Sequence, residues 1–172
     1  MIRLIIFDVI HLLTMQSSPL PEIPAIGYLS EVAGEHREFL TGYGKFVRTA
    51  DGQKIITQGD KQDTLYLVLS GKLHVTSNVE GRTVLLAKLS EGNTLGEINL
   101  FDPGTASADV TSMGDCLIWS LSRDEIESLF RDDPITGVAV LKGLLKQASS
   151  RIRSMNEKLL VHEKEAFFDS WS

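Results

Sequence analysis

The sequence predicts a mainly β domain, a small sandwich or barrel flanked by helices, which runs on into one long C-terminal helix. Three observations carry this. Between Gly42 and Ser120, β-branched and aromatic runs alternate with turn residues. Glycines at 52, 59, 71, 81, 92, 104 and 114 recur at turn spacing through the same stretch. Beyond Pro134, apolar residues change to spacings of three and four and keep them to about residue 162.

The 172 residues, 42% of them hydrophobic and 23% charged, suit one domain with a real core. A net charge of −6 argues against nucleic acid as the main partner, because phosphate backbones are held by clustered Lys and Arg. Cys116 is the single cysteine, so neither an intramolecular disulfide nor a Cys-rich zinc site can form, and a cytoplasmic location is the simplest fit. Met1 to Thr14 is apolar but is interrupted by Asp8 and His11, lacks a secretory cleavage pattern and is too short to cross a bilayer. Two readings are open for it: a packed or frayed extension, or a true start at Met15. Pro19, Pro21 and Pro24 then mark an extended connector, so residues 1–25 are assigned as extension and connector.

The domain is expected to begin at Ile26, with a short helix over Tyr28 to Leu40 built on Leu29, Val32, Phe39 and Leu40. Strands follow at Lys54 to Thr57, Thr64 to Leu69, Leu73 to Thr76 and Val84 to Leu86. Ser70-Gly71 and Glu80-Gly81 read as hairpin corners. Ser122 is an N-cap for a helix whose early Asp124 and Glu125 suit its positive end, and Phe130 closes it. Pro134 fits the first turn of the next helix, with Asp132 and Asp133 as candidate caps. The β domain is thus placed at 26–133, the long helix at 134–165 and a tail at 166–172.

In the long helix, Val138, Leu141, Leu145, Ala148, Ile152, Met155, Leu159 and His162 form an unbroken heptad seam. Ile135, Ala139, Val140 and Leu144 widen the stripe in the first half only, which is expected to pack on the β domain. At about 1.5 Å per residue the helix extends about 45 Å. Its distal half therefore needs a partner, and an identical helix about a two-fold axis is the simplest; the alternative is a wholly intramolecular stripe. Lys142, Lys146, Arg151, Arg153, Lys158 and Lys164, interleaved with Glu157, Glu163 and Glu165, read as a solvated face. No DNA-reading helix-turn-helix is expected after it.

Two stretches resemble the cyclic-nucleotide-binding domain family, which includes the ligand domains of catabolite activator proteins and of protein kinase A regulatory subunits. The first is Ile55 to Asp60 followed by Asp63 to Val68 and Gly71; the second is Leu95 to Val110, similar to the family's phosphate-binding cassette. They stand in register at the family's distance. The resemblance implies a jelly-roll β-roll, a double-stranded β-helix, flanked by an N-terminal helix and a long C-terminal helix. It also implies cAMP or cGMP as ligand. On this reading Gly96 lets backbone approach the ligand, Glu97 accepts from a ribose hydroxyl, and the turn through Ile98, Asn99 and Leu100 offers N–H groups to an anion. Ser107 donates to a phosphate oxygen and Ala108 keeps the wall small.

The cassette departs from the pattern at one charged position: Ala106 stands where the family has arginine. A guanidinium paired with phosphate makes charge-assisted, often bidentate bonds, and its loss costs about a thousandfold in affinity. Asn99 and Asp109 add polarity unsuited to an anion. Asn156-Glu157-Lys158 resembles a Ser-Glu-Lys run in the family's long helix, which puts Arg151 within reach of Glu97 and turns Met155 and Asn156 toward a purine. Met155 is equally a seam residue.

No catalytic constellation emerges. His74 is the lone histidine of the strand region, where a metal-dependent β-roll enzyme needs several converging ligands. There is neither a nucleophile elbow nor a phosphate-cradling Walker loop. The function expected is a stand-alone, non-enzymatic regulatory module. It binds a small cyclic-nucleotide-like ligand, dimerises through its C-terminal helix and signals to an effector protein of unknown identity. The alternative is an interaction scaffold with a vestigial pocket.

Overall fold

The computed structural model describes residues 22–169, with side chains described as far as residue 161. The readings of Met1 to Thr14, of the start at Met15, of Pro19 and Pro21, of 170–172 and of the His162 side chain lie outside the described residues.

Two long strands frame the molecule. The 16-residue β4 (Thr64–Val79) and the 14-residue β8 (Asp109–Ser122) pair antiparallel from Thr64–Ser122 to Thr76–Asp109. β1 (Lys45–Thr49) and β2 (Lys54–Ile56) pair with β8, while β5 (Arg82–Ser90) and β6 (Thr94–Leu95) pair with β4. β3 (Lys61–Gln62) pairs with β7 (Gly104–Thr105) as a separate two-stranded sheet. All pairings are antiparallel, and the result is the jelly-roll-like β-roll with a long C-terminal helix that the resemblance implies.

Glu80-Gly81 is a hairpin corner, joining β4 to β5, with both residues at positive φ and the Gly81 N–H donating to Asn78 Oδ1 at 2.9 Å. Ser70-Gly71 is not one. The pairing with β8 shifts register on either side of Ser70, so the strand bends there and continues. Gly71 permits this: φ is +93°, and a Cβ would lie 2.6 Å from Cys116 Sγ.

The helix expected over Tyr28 to Leu40 is broken into a 3₁₀ turn at Gly27–Leu29 and α1 (Gly34–Leu40). Ile23, assigned to the connector, is fully buried in the core, and Arg37 Nε donates to its carbonyl at 3.1 Å. α3 (Arg123–Asp132) opens with a capping box between Ser122 and Glu125 and extends past Phe130. Asp133 caps α4 (Pro134–Asp169) by accepting from the Thr136 N–H at 3.1 Å.

The core has two parts. One lies between roll and helices, where Tyr28, Leu29, Leu65, Leu67, Trp119, Leu121 and Leu129 meet Val140 and Leu144 of α4. Ile135, expected on the same inward face, is exposed at the first turn, before the helix reaches the roll. The second part fills the roll with Ile56, Val68, Leu73, Leu95, Ala106, Val110, Cys116 and Ile118. At one end that second core is open.

Candidate ligand-binding site

The open end is a cavity of about 310 Å³ between β5, the cassette and α4. The cassette begins at Gly96, which caps the short α2 (Glu97–Phe101) in the left-handed region at φ +85°. Its lack of a side chain is required by the fold, since a Cβ would fall 2.1 Å from the Thr64 carbonyl oxygen. Gly96, Glu97, Ile98, Asn99, Ala106, Ser107, Ala108 and Arg151 all line the cavity.

Leu100 does not. Its side chain is buried in the core beneath the helix and its N–H donates to Gly96 O at 3.1 Å, so only the first turn of α2 keeps N–H groups without an intrahelical acceptor. Met155 and Asn156 are exposed on α4 and are not among the residues lining the cavity. Asp109 also lies off the cavity. Its carboxylate accepts from the Gln58 N–H at 2.8 Å and meets Lys54 Nζ at 3.1 Å, and these two, in that order, hold it below the usual carboxylate range. Its negative charge is spent there rather than on a ligand.

Asn99 donates to the Thr105 carbonyl at 3.1 Å and so holds the cassette's two arms together. Ala106 is strapped to the first glycine motif: its N–H donates to Asp60 O and its carbonyl accepts from the Gly59 N–H, both at 2.8 Å. The two motifs meet in space through these bonds. Arg151 Nη1 donates to Glu97 Oε1 and Nη2 to the Thr94 carbonyl at 3.2 Å, while Gln147 Nε2 reaches Gly92 O at 3.2 Å. α4 is thereby tied to the rim of the cavity.

Sequence reasoning missed the far wall: Ile56, Gln62, Val75, Ala87, Leu89, Asn93, Thr94 and Val110. Part of it is legible in strand alternation, since Ala87 and Leu89 share a face of β5 opposite Val75 and Leu73 of β4. Thr94 carried no signal. It is buried, and its hydroxyl has no hydrogen-bond partner among the described residues.

A model of the cyclic nucleotide-binding domain matches residues 46–133, about half of the chain, taking in β1, both glycine motifs and α3. The chain belongs to the cyclic nucleotide-binding domain family. Among its relatives, a CRP-like cAMP-activated global transcriptional regulator of Mycobacterium tuberculosis is 28% identical over 63% of this chain and 47% of its own length. A cyclic nucleotide-binding domain from Methylobacillus flagellatus superposes with a TM-score of 0.69 at 26% identity, covering 74% of this chain and 72% of that one. The Thermus thermophilus catabolite activator protein superposes with a TM-score of 0.68 at 28% identity, covering 78% of this chain and 62% of that one. The chain spans about half the length of the curated regulators it matches.

The match covers the whole cassette. No group of three or more His, Cys, Asp or Glu that could hold a metal ion occurs among the described residues, and His74 is half-buried between Lys88 and Thr111 on its neighbouring strands. No helix among the described residues is long and apolar enough to cross a membrane.

Proposed function

We propose that the chain is a cytoplasmic regulatory module that binds a small cyclic-nucleotide-like ligand in this cavity, dimerises through α4 and reports occupancy through that helix. The observation that carries the proposal is Arg151, a residue of α4 whose guanidinium is held by Glu97 and Thr94 in the cavity rim. A ligand that engages Glu97 acts directly on the helix, and differential affinity for the docked and undocked helix shifts the population between them. The names of the relatives point to cAMP, and cGMP is the natural second candidate. The unit proposed is the roll at 26–133 with the helix from 134.

The partner for α4 is a second copy. Val138, Leu145, Ile152, Met155 and Leu159 are exposed along one seam, with Leu141 and Ala148 half-buried beside it. An isologous pairing buries this stripe on both copies at once. Of the basic residues expected on a solvated face, Lys142, Lys146, Arg151, Arg153 and Lys158 are all exposed; Lys146 also pairs with the exposed Glu31, and Arg151 with Glu97.

Hydrogen exchange with cAMP or cGMP at millimolar concentration tests the reading: saturable protection of residues 92–108 and 144–151 is expected. A second reading, an interaction scaffold with a vestigial pocket, is favoured by Ala106 together with the exposed seam. Absence of any saturable protection or thermal shift, with dimerisation retained, selects it.

A further inference from the structure

We propose that the roll holds a second ligand site, apart from the cassette, which takes a small zwitterion of the α-amino acid class. It stands independently of what the cassette binds. A cavity of about 330 Å³, sharing no lining residue with the cassette cavity, opens on the inner face of the β4–β8 pair. Lys45, Ser120 and Tyr66 are directly opposed across β1, β8 and β4, as are Thr64 and Ser122 two residues along. Strand alternation puts these rows on the same face as Ile118 and Val68, which are fully buried in the roll. Inward positions of a small roll are ordinarily filled by apolar side chains. Here they carry hydroxyls and a cation, and all five line the cavity.

Two opposite charges border this cavity without meeting. Lys45 and Glu125 both line it, and neither forms an ion pair with the other or with any other group among the described residues. Lys54, the other cation there, is already held by Asp109 at 3.1 Å. Glu125 Oε2 accepts from the Ser122 N–H at 2.7 Å and from the Ser122 hydroxyl at 2.8 Å, which leaves Oε1 with no partner among the described residues. Lys45 is opposite Ser120 and Glu125 is bonded to Ser122, so the two charges stand beside positions about 7 Å apart on β8. An α-amino acid carries its ammonium and carboxylate on one carbon, and a charge-assisted hydrogen bond of about 2.8 Å at each end lets it bridge such a gap. A lone anion is repelled by Glu125 and a lone amine by Lys45, so the pair selects for both charges together. The Tyr66 hydroxyl faces the same space, and Gln53 has its amide oxygen held by the Ala50 N–H at 3.2 Å with its amide nitrogen left to donate. An uncharged polar side chain, as in serine or glutamine, matches these groups better than an apolar one.

Titration calorimetry of the full chain with L-serine and L-glutamine tests this, with lactate and ethanolamine as single-charge controls and with the variants Lys45→Met and Glu125→Gln. Glutamine also serves a capping box, so Glu125→Gln is expected to fold like the parent, and thermal unfolding checks both variants. The expected result is saturable binding of at least one of the two amino acids, weakened at least about tenfold by each substitution and at least about tenfold tighter than either control. No binding of either amino acid at about 10 mM overturns the proposal. Binding undiminished in the folded variants, or matched by lactate or ethanolamine, also overturns it.

Discussion

Arg151 of α4 donates to Glu97 of α2, joining a residue on the helix that leaves the roll to the carboxylate at the mouth of the cavity. The pair is partly solvated, with the arginine side chain 45% exposed, so its contribution to global stability is at most about 1 kcal/mol. Arg151→Ala is therefore expected to leave the urea midpoint almost unchanged. Hydrogen exchange should instead show faster opening of α4 beyond Gln147, the next tie along the helix.

Leu144 and Leu159 lie on the same helix and separate its two jobs. Leu144 is in the core against the roll, and Leu144→Ala is expected to cost about 2–4 kcal/mol in urea unfolding. Leu159 is 60% exposed, so Leu159→Ala is expected to leave the protomer's stability intact. It should weaken self-association instead, read as a lower sedimentation coefficient at micromolar concentration.

Gly96→Ala is expected to destabilise the chain by more than about 1 kcal/mol and to abolish the cavity's shape together, because φ +85° is strained for alanine and the new Cβ meets the Thr64 carbonyl. Thermal unfolding checks the first effect. Ligand titration of the folded fraction checks the second.

Acid sensitivity is expected at the start of α4. The hydroxyl and then the N–H of Thr136 hold the Asp133 carboxyl below the usual carboxylate range. A carboxyl lowered in the folded state contributes stability that is complete above the unfolded value, about pH 4, and is lost as pH falls through the folded value. Asp133→Asn should therefore lower the urea midpoint at pH 7, with the difference from the parent shrinking below about pH 4.

The sequence shows the roll and helix clearly because glycine spacing, strand alternation and helical periodicity are local signals, and in the roll and the first half of α4 tertiary packing reinforces them. Ser122 and Glu125 are legible as a cap for the same reason. Ser70-Gly71 was misread because a positive-φ glycine permits either a turn or a bulge, and the choice is made by β8, more than forty residues away at Cys116. At the site, the cassette's lining residues are legible through the resemblance, whereas Leu100 turns inward by the phase of a helix too short to show one. Asp109 sits in the cassette's sequence but is claimed by Lys54 and Gln58. Thr94 and the Ala87 and Leu89 wall depend on how β5 and β6 fold over the cassette.

The chain keeps a cassette that lines a cavity, with Ala106 and no counter-charge where the resemblance implies arginine. Titration of Ala106→Arg with cAMP, alongside the parent, tests this reading most directly. A gain in affinity of about a hundredfold to a thousandfold, with folding unchanged by thermal shift, is the predicted result. A folded variant that binds cAMP no better than the parent would contradict it.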